Sequence, residues 1–432
     1  MLKSLALQLD DVSRRSFVTT AAKTFLGVSV VGATPWAQAI AGETEPAPAA
    51  TRKNPAKSVI YIYLNGGMSH LDTWDPKPGT DVAGQFSTVK TNVTGVALSD
   101  KLPLLAKQMD KMCVIRSMTS TQGAHERAQY LMHTSFAPLP SVKHPGIGPW
   151  INKIGGRLNP KLPGSVIVGG DGRDASAGVL GSAYEPIVIG NPQAGLQNSK
   201  LRSTEQDFDH KRSLLDQLDS GFRARYPQEA VQAYTRFYQE AVTLMKSNDL
   251  KAFDLTGEPT EVKQAYGASS FGMGLLLARR LVEAGVRYVE VSLGGWDTHQ
   301  DNFENLETKL PPLDQGVSAL LADLAKKGLL DTTLVAQASD FGRTPKINER
   351  DGRDHYPKCF SMMLAGGGVK GGQIYGESDE KAATVKKNPV TPQDFNATIA
   401  YALGLQYDKQ VFSKIGRPFT MADKGKPVTA LF

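Results

Sequence analysis

Residues 332–357, TTLVAQASDFGRTPKINERDGRDHYP, fall into two physically different halves. From Thr332 to Ser339 the chain is short, apolar and β-branched between polar neighbours, which predicts a strand buried in a sheet. Asp340, Arg343, Asp354 and His355 follow, interleaved with Gly342, Pro345 and Gly352. In an open α/β sheet, ligands sit in the crevice beyond the carboxyl ends of the strands. A carboxylate, a guanidinium and an imidazole delivered to that edge suit a metal-and-oxyanion site. The same residues would also suit a solvated loop in which Asp340 caps a turn.

The pattern recurs, and the recurrence favours the site. Upstream, Arg287–Leu293 (RYVEVSL) reads as a strand ending in Gly294-Gly295-Trp296-Asp297-Thr298-His299. Asp297 and His299 lie two apart, on one side of an extended segment, so both can reach one ion. The first strand, Ser58–Leu64, runs into Asn65-Gly66-Gly67, where glycine permits a tight turn and close approach to a ligand. Ser69, His70, Asp72 and Asp75 follow. Asp72 is a candidate metal ligand, His70 either a site or a surface residue, and Asp75, preceding Pro76, a turn residue. Cys113–Met118 predicts a further strand, opening into Thr119–Arg127, with a helix from about residue 124 to 133. Its N-terminus would be a ready anion site. Ser120 or Thr121 is a candidate nucleophile, or alternatively a helix cap. Four of the seven histidines (His70, His125, His299, His355) fall at such strand ends. Carboxylates mixed with imidazoles suit Zn²⁺ or Mn²⁺ better than Ca²⁺ or copper, and two such ions can clamp an in-line displacement at phosphorus or sulfur. Asp297, His299, Asp340 and His355 are expected to converge on one cavity, with Asp72 and residues 120–125 at its rim.

The remainder fits one α/β domain over residues 58–432 with a largely parallel sheet. Apolar content of 41% and charged content of 21% are ordinary for a globular chain. Residues 204–225 and 228–247 carry helical spacing and read as an insertion of amphipathic helices covering one face. Further helices are predicted over 102–110, 271–284, 306–327 and 391–403. Gly366-Gly367-Gly368 and Gly371-Gly372 after the strand Phe360–Ala365 read as a hairpin turn rather than a phosphate cradle, since no Lys-Ser/Thr pair follows. Cys113 and Cys359 each open an apolar run and read as buried thiols, a single disulfide being the alternative.

At the N-terminus, Ser13-Arg14-Arg15-Ser16-Phe17-Val18 precedes an apolar run, Phe25–Trp36, and Ala37-Gln38-Ala39. These parts in order are read as a twin-arginine export signal over residues 1–39 with a small-residue cleavage site. A Pro/Ala linker over 40–57 follows. The run is too short and interrupted for a permanent membrane span. The expected location is the bacterial periplasm or the exterior, with the twin-arginine translocase as a transient partner. Residues 1–39 hold four basic and two acidic side chains, so without them the formal charge falls from +6 to +4. That charge is too small and dispersed to argue for nucleic acid.

LNGGMSHLDTWDPKPG, GGWDTH, SDFGRTP, GRDHYP and LAGGGVKGGQIYG, behind that signal, resemble the exported bacterial family catalogued as domain of unknown function 1501. The resemblance implies membership of the alkaline phosphatase-like superfamily, beside sulfatases and cofactor-independent phosphoglycerate mutase, and its three-layer α/β sandwich. It implies one metal site of Asp297, His299 and His355, with Asp340 at a second. Thr121, four residues before His125, resembles the mutase's Ser-x-x-Gly-His nucleophile segment, with Ala124 in place of Gly. Two positions depart: Asn65 stands where the superfamily has Asp, and Phe341 follows Asp340 where a His is usual. The expectation is an exported metal-dependent hydrolase of phosphate or sulfate esters. In it Asp72, Asp297, His299, Asp340 and His355 hold metal, Ser120, Thr121 and His125 do chemistry, and Arg343 binds the oxyanion. The rival is a non-catalytic exported binding or assembly protein on the same fold.

Overall fold

The computed structural model describes residues 52–199, 201, 203–413 and 416–432. Residues 1–39, read above as an export signal, and most of the expected linker therefore lie outside the described residues. Eight strands form one sheet: β1 (Ser58–Asn65), β2 (Met112–Met118), β3 (Ser165–Val168), β4 (Ile187–Ile189), β5 (Tyr288–Gly294), β6 (Thr333–Ser339), β7 (Phe360–Gly366) and β8 (Gln373–Tyr375). Their order is β8-β2-β7-β6-β1-β5-β3-β4. The central β1 pairs in parallel with β5 and β6, with Leu64 opposite both Leu293 and Ser339. Only β7 runs against its neighbours, β6 and β2.

Side-chain alternation along β1 builds the layers. Ile60, Ile62 and Leu64 join a core completed by helices α5 (Ser270–Glu283) and α6 (Asn302–Lys326). Val59, Tyr61 and Tyr63 face the opposite core, with α1 (His125–Thr134), α2 (Ile147–Gly155) and α7 (Pro392–Ala402). Thr391 caps α7 through a reciprocal bond with Asp394. The result is a helix–sheet–helix sandwich, as the strand–helix alternation predicts.

The antiparallel β7 positions the site. Because β6 and β7 run oppositely, the segment joining them leaves and re-enters at one edge, the carboxyl edge of β1, β5 and β6. The glycine turn that follows β7 therefore lies at the other edge, where Gly366, Gly367 and Gly368 take left-handed φ of 63°, 53° and 74° and Gly367 N donates to Leu330 O. It is a turn but not the expected hairpin: β7 and β8 do not pair with each other, because β2 lies between them.

Two further expectations need correction. Of the predicted helix over 102–110, only Pro103–Ala106 and a 3₁₀ turn at Met109–Lys111 form. The helix α3 (Glu205–Arg225) buries no residue, so it does not cover a face of the sheet; α4 (Glu229–Met245) follows it. Cys113 and Cys359 are free and buried, as their apolar runs predict, which excludes the disulfide alternative; burial pushes both thiols up to about 12. Among the described residues, no helix is long and apolar enough to cross a membrane.

Candidate metal centre

Three segments meet beyond the strand ends. After β5 the chain turns through Gly294-Gly295 and presents Trp296-Asp297-Thr298-His299. A side chain at Gly66 would collide with this backbone: its Cβ would lie 2.6 Å from Asp297 N, at φ +121°. Glycine there is what lets the two strand-end loops touch. The segment after β6 folds back as a ribbon in which Gly342–Arg343 pairs antiparallel with His355–Tyr356. Gly352 packs against the His299 carbonyl, where a Cβ would sit at 2.0 Å. The third segment is the start of α1, whose first residue is His125.

One carboxylate oxygen is the focus. Asp297 Oδ1 lies 2.7 Å from Arg343 Nη2, 3.2 Å from His355 Nε2, 3.2 Å from His299 Nε2 and 3.3 Å from His125 Nε2. The Nε2 atoms of His299 and His355 face each other at 2.9 Å. One ligand atom from each of His125, Asp297 and His355 lies within 4.8 Å of the others.

The opposite ring nitrogens determine what those Nε2 atoms can do. His355 Nδ1 donates to Gly123 O at 2.9 Å, His299 Nδ1 to Asp354 Oδ1 at 2.7 Å, and His125 Nδ1 to Asp340 Oδ2 at 2.6 Å. An acceptor oxygen at each Nδ1 places the proton there, so each neutral ring turns an Nε2 lone pair inward. Three lone pairs and a carboxylate oxygen converge with too few protons to bond them to one another. His125 Nε2 is buried and without a hydrogen-bond partner. Outer oxygens that orient and polarise imidazoles in this way are the usual second layer of a zinc-type site. The donor set thus fits a divalent cation held by nitrogen and oxygen.

Electrostatics agree at Asp297 and His355, whereas at His125 the two flanking carboxylates favour the protonated ring. Burial pushes the Asp297 carboxyl up, but the hydrogen bond and charge of Arg343, with His355 and His125, outweigh it and hold the group well below the usual range. Burial pushes the His125 imidazole down, and Asp340 and Asp297 more than reverse this. Burial prevails at His355 and lowers it, which favours the neutral ring.

Not all the expected residues take the expected places. Asp340 is buried and supports His125: its remaining lone pairs accept from the Tyr63 hydroxyl and from Gly66 N at 3.2 Å. Arg343 is wholly buried, with four of its five N–H donors spent on Gly66 O, Gly67 O, Arg353 O and Asp297, so it presents no open fork to an oxyanion. Asp72 does not face the cluster. Arg353 grips it at 2.8 and 3.1 Å, while Ser69 and Asn302 add donors to Oδ2, so Asp72 is committed to a buried ion pair. His70 is neither site nor surface: it is buried, with Nε2 3.0 Å from Ala382 O. Asp75 is no simple turn residue, being fully buried beside Lys77 at 3.0 Å and Arg116 at 3.4 Å. Ser120 does not cap α1, because Ala124 is the N-cap and no side chain bonds there. Instead Ser120 accepts from Gln122 N at 3.2 Å, and Thr121 is exposed on the same loop.

The sequence by itself assigns no part to Tyr63, Gly123 and Gln129, and it places Asp354 at the edge without its role as acceptor for His299. Gln129 bridges Asn65 Oδ1 at 2.5 Å and Asp340 Oδ2 at 3.4 Å. Phe341, the departure beside Asp340, is a buried shelf whose ring lies 4.9 Å from that of His125 and 4.7 Å from that of His355. A tyrosine hydroxyl near the end of an otherwise apolar strand was the one available signal for Tyr63.

A largely parallel α/β sandwich with a His/Asp cluster at the strand ends defines the class, a candidate metalloprotein with its site at the carboxyl edge. The chain belongs to the family described as Protein of unknown function (DUF1501), which residues 56–432 match. Among curated proteins none matches the sequence. Solved structures resembling it include a protein in the alkaline phosphatase superfamily from Vibrio parahaemolyticus (9% identity, 87% of this chain and 72% of that one, TM-score 0.41). The PsFucS1 sulfatase from Pseudoalteromonas sp. is similar at 12% identity over 81% and 68%, TM-score 0.38. The phosphonate monoester hydrolase of Silicibacter pomeroyi is similar at 11% identity over 82% and 73%, TM-score 0.37.

Proposed function

We propose that this protein is an exported, divalent-metal-dependent hydrolase of phosphate or sulfate esters, with Zn²⁺ or Mn²⁺ as its ion. The observation that carries the reading is the set of inward Nε2 lone pairs, each fixed by an oxygen at Nδ1, around Asp297 Oδ1. His125, Asp297 and His355 would hold the ion, with His299 beside them. A bound dication supplies Lewis acidity toward an ester oxyanion. Arg343 keeps Asp297 ionised, and Asp340 and Asp354 hold two of the imidazoles in the ligand tautomer. With Arg343 spent inside the fold, the open N-terminus of α1 supports binding of the ester's anionic oxygens through its unpaired amides. Ser120 and Thr121, on the loop leading into that helix, are the candidate nucleophiles. Folding around an ion before export suits the twin-arginine route.

One observation favours a second reading, a binding protein that keeps a single metal. Asp340 and Arg343, which would serve a second ion and the oxyanion, are both buried and engaged in internal bonds. Protein purified without chelator from metal-replete cells separates the readings. We expect one Zn or Mn per chain and turnover of an aryl phosphate or aryl sulfate, both lost in His355→Ala. One metal per chain without turnover of either ester supports the binding protein, and absence of Zn, Mn, Mg and Ca overturns both.

A further inference from the structure

Helix α3 has 21 residues and buries none of them. At about 1.5 Å per residue it is roughly 31 Å long, and helices of this kind owe most of their stability to packing of an apolar face. Its apolar side chains face solvent: Leu218 is 79% exposed, and Leu214, Leu215 and Phe222 are 46%, 42% and 48% exposed. Within the chain, Lys246 holds Glu205 and Asp209, and Arg223 holds Asp216. None of these contacts covers the leucines.

The pattern on the bare face specifies what does. Asp207, Lys211, Leu214, Leu218, Gly221 and Arg225 recur at alternating steps of four and three, the spacing of a helix–helix seam. Acid stands at the start of this seam, base at its end, and leucines at its centre. Turned about a two-fold axis level with Asp216, the seam meets itself. Asp207 then faces Arg225 of the second copy, Leu214 faces its Leu218, and Lys211 faces its Gly221, where the missing side chain leaves room. Asp207, Lys211 and Arg225 are exposed, and their charged groups have no ion-pair partner among the described residues. A parallel pairing would instead stack acid on acid and base on base.

We infer that α3 is a self-association surface through which two copies of this chain pair antiparallel, Leu214 and Leu218 at the centre and Asp207–Arg225 pairs at both ends. A twofold contact must be self-complementary, and this one is. The inference is independent of the metal centre.

Sedimentation equilibrium of the full chain tests it. The wild type should reach twice the chain mass, and Leu218→Asp should remain monomeric. Asp207→Arg and Arg225→Asp should each weaken the dimer about tenfold, by setting like charges opposite each other. The double variant Asp207→Arg/Arg225→Asp should regain wild-type association, because reversal preserves every pair. These residues are exposed, so circular dichroism should show the fold retained in each variant. A wild type that stays monomeric overturns the inference, as does a double variant weaker than both single ones. Monomeric protein that binds anionic lipid vesicles through Leu218 would also overturn it, by giving the face to a membrane surface.

Discussion

Two aspartates with similar sequence surroundings, Asp75 and Asp297, have opposite physical roles. Each follows a tryptophan in a loop beyond a strand, yet Asp75 is buried against Arg116, Lys77 and the Ser378 hydroxyl, while Asp297 is 46% exposed at the focus of three imidazoles. Removing one partner of a buried ion pair leaves the other charge unpaired. Asp75→Ala should therefore lower stability by about 3 kcal/mol or more with metal content unchanged. Asp297→Ala removes an exposed anion, so its cost should appear as lost metal and lost sensitivity to chelators. Elemental analysis and denaturant unfolding of both variants check the pair. Equal metal content in Asp297→Ala and wild type would remove Asp297 from the ligand set.

Between elements, α1 and β5 are joined beneath the site by His133 and Glu290, 3.2 Å apart and buried, with the Tyr288 hydroxyl on the other carboxylate oxygen. Burial pushes His133 down, but Glu290 outweighs it and raises the imidazole to about 9. The folded state thus binds a proton more tightly than the unfolded chain. The contribution is full below about pH 6.5 and is lost as pH rises through about 9, an effect on the order of 3 kcal/mol. Wild type should lose thermal stability between about pH 6 and pH 10 more steeply than Glu290→Gln, in which the pair no longer raises His133. Parallel melting-temperature profiles for the two proteins would show that the pair does not titrate in this window.

For the whole molecule, the proposed ligands come from the start of α1, the end of β5 and the ribbon before β7, segments brought together only by the complete sheet. An ion bound there binds the native state alone. At free metal about a hundredfold above its dissociation constant it should add about 3 kcal/mol, so a chelator should lower the melting temperature by a few degrees. His355→Ala should start at the lower temperature and not respond. A chelator effect of equal size in both proteins would place the stabilising ion elsewhere.

How far the primary structure reaches is clearest at particular residues. The principal strands were legible because burial on both faces selects continuous apolar runs such as SVIYIYL and TTLVAQAS, and their polar, glycine-marked ends located the carboxyl edge. Asp297, His299 and His355 were legible as a group for that reason, as was Asp340's closeness to them. The division of labour was not. Whether Asp340 meets an ion or His125, whether Arg343 points outward or pins two loops, and whether Asp72 faces a cavity or Arg353 depend on long-range neighbours. These contacts form only once the sheet order and the antiparallel β7 bring the distant segments within hydrogen-bonding distance. Local patterning determines which residues reach the edge; the packed fold determines which of their lone pairs remain free.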